Sequence, residues 1–303
     1  MIVITGASGL LGGAVASVLE REGRAFEAPA SAQVDLLDLD ATIAFFEKVR
    51  PDAVIHCAAR VHGLMGNKRF PAEMFDDNLR MNFNVVAACR HAGVRKIAAA
   101  STVAAYPGHL VHDIAETQFF DGPPHDGESG YAHAKRAMLA QLVTYEAQYG
   151  LEYVYAIFTN LYGPGDRFDA VNGHVIPSLV AKFHRGAREG TPVEVWGKGR
   201  ARRDFLYRDD AAAALVHLLD HGRGTVNVAT GTTVPIARAV KALAGVSGVS
   251  DVVWNPDKPE GQLDRSYDVG RLRKSGFTHA VGLEEGLKAT YGWYAENYPD
   301  VRA

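Results

Sequence analysis

Tyr131 and Lys135 are the two residues whose types and spacing most clearly suggest chemistry. They are the first and last residues of Tyr-Ala-His-Ala-Lys, at the start of a segment with helical patterning, and this spacing puts both side chains on one helix face. A tyrosine with its ordinary pKa of about 10 is a poor acid at neutral pH. Because a neighbouring ammonium stabilises the phenolate, we expect the pair to move a proton to or from a substrate oxygen. The same spacing is also common on plain exposed helix faces.

Two hydroxyl side chains stand where they can assist that pair. Ser101 and Thr102 directly follow an apolar run at residues 97–100, which predicts a buried strand. Open α/β sheets bind their ligands beyond the carboxyl ends of the strands. We therefore expect a hydroxyl at this strand end to share the substrate oxygen with Tyr131.

The N-terminal residues contain a glycine-rich loop in a specific context. A strand pattern at residues 2–5 passes directly into Gly6, and a helix pattern begins within the loop. In this context the first glycine permits a tight turn, the second admits a pyrophosphate, and the third packs helix on strand. The sequence thus predicts a dinucleotide bound at Gly6, Ser8, Gly9, Leu10, Leu11 and Gly12.

The choice between NAD and NADP stays open. An acid at the end of the second strand would hold the ribose 2′-hydroxyl of NAD, and an arginine would hold the 2′-phosphate of NADP. Residues 26–31 contain Glu27, within the predicted strand, and no arginine. Asp35 and Leu36, at the next turn, either flank the adenine or form a loop acid before a core leucine.

Short apolar runs alternate with helix-length segments. Strands are predicted at residues 2–5, 53–56, 97–100 and 153–158, and helices at residues 11–22, 41–49, 74–91 and 131–149. Such alternation forces a parallel sheet that is covered on both faces. We predict an α/β protein with a doubly wound, Rossmann-type parallel sheet.

The pattern changes after Asn160, beginning with Gly163-Pro164-Gly165. We predict a dinucleotide-binding domain at residues 1–160 and, mainly from residues 161–303, a smaller α/β lobe that binds substrate. A strand and helix within residues 204–229 are expected to return to the first sheet, so that the boundary is interleaved.

Composition excludes several classes of function. The 303 residues carry 32 Lys plus Arg against 35 Asp plus Glu, a net charge of -3, so nucleic acid and anionic membranes are poor candidates as partners. No apolar stretch is long enough to span a membrane, and no targeting segment is evident at the start. With only Cys57 and Cys89, no disulfide framework is possible, and we expect a cytoplasmic protein. His109, His112, Asp113 and Glu116 lack a ligand spacing, so no metal is expected.

Together these residues resemble the extended short-chain dehydrogenase/reductase family over nearly the whole chain. Within it the sequence is most similar to the GDP-L-fucose synthase subgroup. That similarity rests on five ordered blocks, at residues 158–164, 172–177, 195–197, 203–206 and 258–261. It implies NAD or NADP as cofactor, a nucleotide-diphosphate sugar as substrate, with a GDP-sugar favoured, and a homodimer formed through a helical bundle.

The resemblance also implies roles for individual residues. The catalytic residues would be Thr102, Tyr131, Lys135 and His174. Beyond the glycine loop and the Asp35-Leu36 turn, the cofactor would contact Ala58, Ala59, Ser101, Tyr131, Lys135, Phe158, Asn160, Leu161 and His174. The sugar nucleotide would contact Thr102, Asn160, Lys182, Trp196 and Arg203. Lys182 stands where the subgroup has arginine, so bidentate phosphate pairing is lost.

One departure bears on the reaction. Fucose synthases invert ring carbons beside a ketone, which requires an acid and a base, and the subgroup has a cysteine where this sequence has Ala104. A methyl group cannot transfer a proton, so one member of the pair is missing. His62, just past the strand predicted at residues 53–56, is a candidate replacement by position alone.

Three functions therefore remain open. In the first, NAD(P)H reduces a 4-keto sugar. In the second, retained NAD oxidises C4 of a nucleotide-diphosphate hexose or heptose and returns the hydride to the opposite face, giving the C4 epimer. The third is a catalytically silent protein that senses NAD(P), although Tyr131 and Lys135 both stand in place.

Overall fold

The computed structural model describes residues 1–61, 67, 69–169, 173–258 and 264–302. The strands are β1 (Ile2–Thr5), β2 (Phe26–Glu27), β3 (Ala53–His56), β4 (Lys96–Thr102), β5 (Glu152–Phe158), β6 (Asn160–Tyr162), β7 (Val193–Trp196), β8 (Arg202–Arg203), β9 (Phe205–Tyr207), β10 (Gly224–Val228), β11 (Val234–Pro235) and β12 (Val252–Asn255). The α-helices are α1 (Leu10–Arg21), α2 (Leu39–Val49), α3 (Pro71–His91), α4 (Ser129–Tyr149), α5 (Val175–Glu189), α6 (Arg208–His221), α7 (Ile236–Ser247), α8 (Gly270–Lys274) and α9 (Leu283–Asn297).

A six-stranded parallel sheet forms the centre of the molecule, in the order β10-β5-β4-β3-β1-β2. All residues of β1 and β3 are buried, which explains why these strands are continuous apolar runs without alternation. The strand order reverses beside β1, because β2 lies on one side of it and β3 on the other. Ligands of open α/β sheets bind beyond the carboxyl ends of the strands at such a reversal. The prediction of a doubly wound α/β fold is confirmed.

Helices cover both faces of this sheet with apolar side chains. On one face, α2, α3 and α4 contribute Phe46, Val85 and Met138 to a buried cluster. On the other face, α1 and α6 contribute a second cluster that includes Leu19 and Leu215. Because helices cover both faces of the sheet, a ligand can reach it only at its edges. In open α/β sheets that edge is the one formed by the carboxyl ends of the strands.

A third buried cluster lies outside the large sheet and joins α5, α7 and α9. The short pairs β6 with β9, β7 with β12, and β8 with β11 surround it. The chain re-enters the large sheet with β10, which pairs in parallel with β5. The domain boundary at residues 160 and 161 stays a prediction.

The helices begin slightly earlier than the apolar periodicity predicts, because polar and cyclic residues start them. Asp38 caps α2 by accepting a hydrogen bond from the Ala41 backbone N–H at 3.0 Å. Pro71 opens α3 at a position where its missing N–H costs nothing. Among the residues that the structure describes, no helix is long and apolar enough to cross a membrane.

Candidate active site

Two glycines bring the first loop against the neighbouring strand end. Gly6 has φ of 77°, and a Cβ there would lie 2.6 Å from the Ala58 backbone nitrogen. A Cβ on Gly12 would lie 2.2 Å from the Gly6 carbonyl oxygen. The Gly9 N–H donates to that same oxygen at 3.0 Å and closes the turn. Only glycine fits at positions 6 and 12, so the loop has the tight turn that the sequence predicts.

The N-terminus of α1 fits a bound pyrophosphate. Gly9 is its N-cap residue, no side chain caps the helix, and its first turn contains no acidic residue. Uncapped backbone N–H groups and the positive end of the helix dipole form an anion site. Ser8 is exposed beside it, while Leu10 and Leu11 are half-buried.

The adenine side of the crevice is formed by exposed loops. Glu27 is exposed at the end of β2, whereas Phe26 beside it packs into the core. Asp35 is exposed, and its carboxylate accepts the Leu37 backbone N–H at 2.9 Å. The Leu36 side chain packs against the core. These contacts do not decide between NAD and NADP.

Lys135 is joined directly to the strand that carries Thr102. Its side chain is 2% exposed, and the Nζ atom donates to the Ala100 carbonyl oxygen at 2.9 Å. The Tyr131 ring is half-buried, with its centroid 5.8 Å from that Nζ atom. Thr102 ends β4, and its hydroxyl accepts the Ala104 N–H at 3.2 Å. The expected pair on one helix face is thus present beside the end of β4.

The protonation states differ from the simple expectation of a stabilised phenolate. Burial lowers the pKa of Lys135 to about 8. Burial raises the pKa of Tyr131 above its ordinary value, and the negative charge of Glu128 raises it further. Burial and the charge of Glu128 both favour the neutral phenol of Tyr131 over its phenolate.

Ser101 is used differently from the expected sharing of a substrate oxygen. Its hydroxyl is buried and donates to the Tyr155 hydroxyl at 2.7 Å. Tyr155 in turn donates to the Lys135 carbonyl oxygen at 2.6 Å. Through Tyr155, a residue of β5, the Ser101 hydroxyl braces α4.

The remaining residues expected near the cofactor lie at the ends of β3 and β5. Ala58 and Ala59 are half-buried beside the glycine loop. Phe158 is 3% exposed and packs into the core, so only its backbone is available to a ligand. The Asn160 side-chain amide donates to the Asp204 carbonyl oxygen at 2.9 Å, and Leu161 packs against the core.

A basic aromatic surface lies on the smaller lobe. Trp196 is exposed, and the Nζ atoms of Lys182 and Lys258 lie 5.0 and 5.6 Å from the centre of its ring. Lys182, Arg185 and Trp196 line a cavity of about 340 Å³. The two ammonium groups over one indole form cation–π contacts and suit a flat, negatively charged ligand. Lys258 is an addition to the residues expected from the sequence.

A second group of charged side chains surrounds Glu128, whose charge reaches Tyr131. Burial raises the pKa of the Glu128 carboxyl, while the charges of His125, Arg265 and Arg203 lower it. The Arg203 guanidinium donates to the Arg202 carbonyl oxygen at 2.7 Å, and Arg265 donates to the Pro107 carbonyl oxygen at 2.8 Å. Glu128 and Arg265 become recognisable as site residues only in the fold, because residues far apart in sequence surround them.

His174 and His62 are the two histidines that the sequence suggests for proton transfer on the sugar ring. His174 is the N-cap residue of α5 and is exposed. His62 lies outside the described residues, as does Asn172 of the block around His174. Ala104 is half-buried directly after Thr102 and Val103.

The acidic and histidine residues at 109–116 are used in folding. Glu116 is buried and accepts the Asn227 backbone N–H at 2.9 Å. The Asp113 carboxylate accepts from the Ser266 hydroxyl at 3.3 Å. Within the described part of the chain, no group of three or more His, Cys, Asp or Glu side chains is arranged to hold a metal ion.

Buried asparagines on α3 escape prediction from the sequence. The Asn78 side chain accepts the Arg60 N–H and donates to the Arg60 carbonyl oxygen, both at 3.0 Å. Asn84 donates to the Leu36 carbonyl oxygen at 2.9 Å. A signal did exist, since asparagines at 78, 82 and 84 interrupt the apolar face of a predicted helix. Asn78 and Asn84 each hold the backbone of a loop that borders the crevice.

The fold, the uncapped helix N-terminus and the Tyr131-Lys135 pair define a dinucleotide-dependent enzyme of the short-chain dehydrogenase/reductase type. The chain belongs to the NAD dependent epimerase/dehydratase family, whose model matches residues 2–229.

Similar proteins agree with this assignment. GDP-L-fucose synthase from Escherichia coli (strain K12) is 33% identical over 315 residues, which cover 99% of this chain and 98% of that protein. The crystal structure of a GDP-L-fucose synthetase from Naegleria fowleri bound to NADP has a TM-score of 0.92 at 29% identity, covering 100% of this chain and 96% of that one. UDP-glucose 4-epimerase from Thermus thermophilus, in complex with NAD, has a TM-score of 0.82 at 27% identity, with coverages of 96% and 98%.

Gly9→Ala is expected to fold and to lose affinity for the dinucleotide. The added Cβ would lie 3.3 Å from the Gly6 carbonyl oxygen, which small shifts accommodate, but it would occupy the face that a pyrophosphate approaches. We expect the Kd for NADH and NADPH, measured by cofactor fluorescence, to rise by at least about tenfold. Gly13→Ala is the control, since its Cβ is similarly crowded, at 3.1 Å from the Ala7 carbonyl oxygen. An equal loss in both variants would contradict a specific role for Gly9.

Proposed function

We propose that this protein is an NAD(P)H-dependent reductase that acts on C4 of a 4-keto nucleotide-diphosphate sugar, with a GDP-sugar as the favoured substrate. The observation that carries the proposal is the half-buried Tyr131 ring beside the Lys135 ammonium, which is anchored on the Ala100 carbonyl oxygen. A reductase needs a proton donor at the start of its reaction, and the raised pKa of Tyr131 keeps that proton in place.

The proposed chemistry assigns one task to each residue. Bound NAD(P)H supplies the hydride that adds to the C4 carbonyl carbon. The Tyr131 hydroxyl donates its proton to the O4 atom, and the Thr102 hydroxyl holds that oxygen in line. Lys135 stays fixed on the Ala100 carbonyl oxygen, from where its charge stabilises the phenolate that forms.

The smaller lobe supplies groups that suit the rest of the substrate. Trp196 with Lys182 and Lys258 offers an aromatic face and positive charge for a nucleotide. Arg203 and Arg265 lie near Glu128, whose charge also reaches Tyr131, and there they can neutralise a diphosphate. A guanine base is favoured because the GDP-L-fucose synthases match this chain over nearly its whole length.

An NAD-dependent C4 epimerase is the second candidate. It is favoured by the second strand end, where residues 26–31 contain no arginine for the 2′-phosphate of NADP. The similarity to a UDP-glucose 4-epimerase in complex with NAD supports it as well. Such an enzyme retains its cofactor and would begin with Tyr131 as a base, which its raised pKa opposes.

The proposed reduction is tested with GDP-4-keto-6-deoxymannose and either NADH or NADPH. We expect one reduced cofactor to be consumed for each sugar, seen as loss of absorbance, and Tyr131→Phe to lower kcat by about 10²- to 10⁴-fold. Tyr149→Phe, an exposed tyrosine of the same helix, is the control. Tightly retained NAD and sugar interconversion without net redox change would establish the epimerase instead. Binding of cofactor without either reaction would indicate a silent sensing protein.

Ring inversion beside the ketone is expected to be absent, because Ala104 offers no acid or base. In D₂O, the wild-type protein should yield a reduced sugar without solvent deuterium on the carbons next to C4. Ala104→Cys places a thiol directly after the Thr102 turn, and we expect its deuterium uptake to exceed the background seen with the wild type by roughly 100-fold. Val103→Cys is the matched control, as a half-buried neighbour. Rapid uptake by the wild type would show that another group moves the ring proton.

We also propose a homodimer formed through α3 and α4. These helices pack side by side, and the Gln141 side chain donates to the Phe83 carbonyl oxygen at 3.2 Å. Phe83 on α3 and Val143 on α4 are each 47% exposed. Two large apolar side chains on adjoining helices suit burial against the same pair of a second copy.

Phe83→Asp combined with Val143→Asp should yield a monomer, since charges would be buried in the proposed interface. Molar mass from light scattering during gel filtration measures this directly. Val253→Asp, at a residue 49% exposed on β12, should leave the dimer intact. A monomeric wild-type protein would refute the proposal.

We propose the cytoplasm as the location of the protein. Both cysteines, Cys57 and Cys89, carry free thiols, which suits a reducing compartment. Cys89 is fully buried in α3, where oxidation would disrupt packing.

A further inference from the structure

A buried histidine links the glycine loop to the catalytic helix, although it touches neither Tyr131 nor a solvent-facing surface. His56 ends β3, is 0% exposed, and lies opposite Thr5 in the register of the parallel pair β1 and β3. Its Nδ1 atom lies 2.7 Å from the Thr5 hydroxyl, and its Nε2 atom lies 3.0 Å from the Asn82 Oδ1 atom.

The partners of these groups settle the direction of each hydrogen bond. The Asn82 amide nitrogen donates to the Ala134 carbonyl oxygen at 3.4 Å, which turns the Oδ1 atom towards His56. His56 must therefore donate from Nε2 and accept at Nδ1 from the Thr5 hydroxyl. The Thr5 hydroxyl is left to accept the Ala58 N–H at 3.5 Å. Both ring nitrogens of His56 are satisfied when the imidazole is neutral.

The surroundings keep the imidazole neutral. Burial lowers the pKa of His56 to about 3, and the nearby charge of Lys135 lowers it further. The adjacent Cys57 thiol is also neutral, since burial raises its pKa to about 12. Protonation of Nδ1 would reverse the hydrogen bond with Thr5, because the imidazolium could then only donate to that hydroxyl.

Both ends of this series lead to groups that a dinucleotide would contact. Thr5 directly precedes Gly6, and Ala58 packs against Gly6 at the strand reversal. At the other end, Ala134 lies between Tyr131 and Lys135 in α4. β3 places the imidazole of His56 beside the glycine loop. Asn82 on α3 then connects His56 to α4.

We propose that His56 is a positioning residue which, through Thr5 and Asn82, holds the phosphate loop at a fixed distance from the helix that carries Tyr131 and Lys135. A bound dinucleotide spans both parts, so its affinity depends on their prior alignment. The links act in series, and breaking one link releases the alignment as fully as breaking two. This proposal rests on the dinucleotide binding of the proposed function, and it does not depend on which sugar is reduced.

A double-mutant cycle with Thr5→Val and Asn82→Leu tests this serial arrangement. Each substitution keeps the approximate volume of the side chain and removes one partner of His56. We expect each single variant to raise the Kd for NADH or NADPH by about tenfold, as loss of one buried hydrogen bond does. We expect the double variant to bind no worse than either single variant, whereas independent effects would multiply to about 100-fold. His56→Leu should match the double variant.

The control separates positioning from a general loss of stability. Thr290→Val removes another fully buried hydroxyl, which donates to the Gly286 carbonyl oxygen at 2.6 Å in α9. It should lower the midpoint of thermal unfolding and leave the Kd unchanged. Where Asn82→Leu fails to fold, Asn82→Ala takes its place in the cycle.

Two results would overturn the inference. One is a multiplicative increase of Kd in the double variant. The other is single variants that lower the unfolding midpoint yet bind the dinucleotide as the wild type does. A wild-type protein that binds neither NADH nor NADPH would instead refute the proposed function, so the two failures are distinguishable.

Discussion

The buried ammonium of Lys135, held by the Ala100 carbonyl oxygen, is the interaction on which the candidate active site depends. A cation is costly to bury unless polar groups receive it, and here the Ala100 carbonyl oxygen at the end of β4 does so. Burial lowers the pKa of Lys135 to about 8, which leaves it mostly charged at neutral pH. His56 and Cys57 beside it are neutral, with pKa values moved to about 3 and about 12 by burial. Lys135 is thus a positive charge between two neutral neighbours, His56 and Cys57, and it makes the electrostatic potential at these strand ends positive.

Features that depend on local sequence could be predicted. The continuous apolar runs of β1 and β3 follow from burial on both faces, and the glycine loop follows from backbone contacts that allow no side chain. The spacing of Tyr131 and Lys135 likewise follows from helix geometry alone. These features depend only on residues close together in sequence and on the repeat of a helix or strand, so the sequence is sufficient to predict them.

Features that depend on contacts between segments far apart in sequence could not be predicted. Ser101 and Thr102 are adjacent hydroxyls, and only the position of Tyr155 on β5 shows that the first braces α4. Asn82 and His56 are 26 residues apart, and nothing in either segment indicates that they meet. The sign of the pKa shift at Tyr131 depends on burial contributed by several segments. The sequence names these residue types, while the packing decides which of their atoms stay available to a ligand.

The direction of the proposed reaction follows from the same charges. A reductase begins with a protonated tyrosine and ends with a phenolate, whereas an enzyme that first oxidises an alcohol needs the phenolate at the outset. Burial and the negative charge of Glu128 both hold the proton on Tyr131. Burial raises the pKa of Glu128, and Arg203 and Arg265 act against that rise, so the carboxylate that disfavours the phenolate is itself coupled to the two arginines of the proposed diphosphate site.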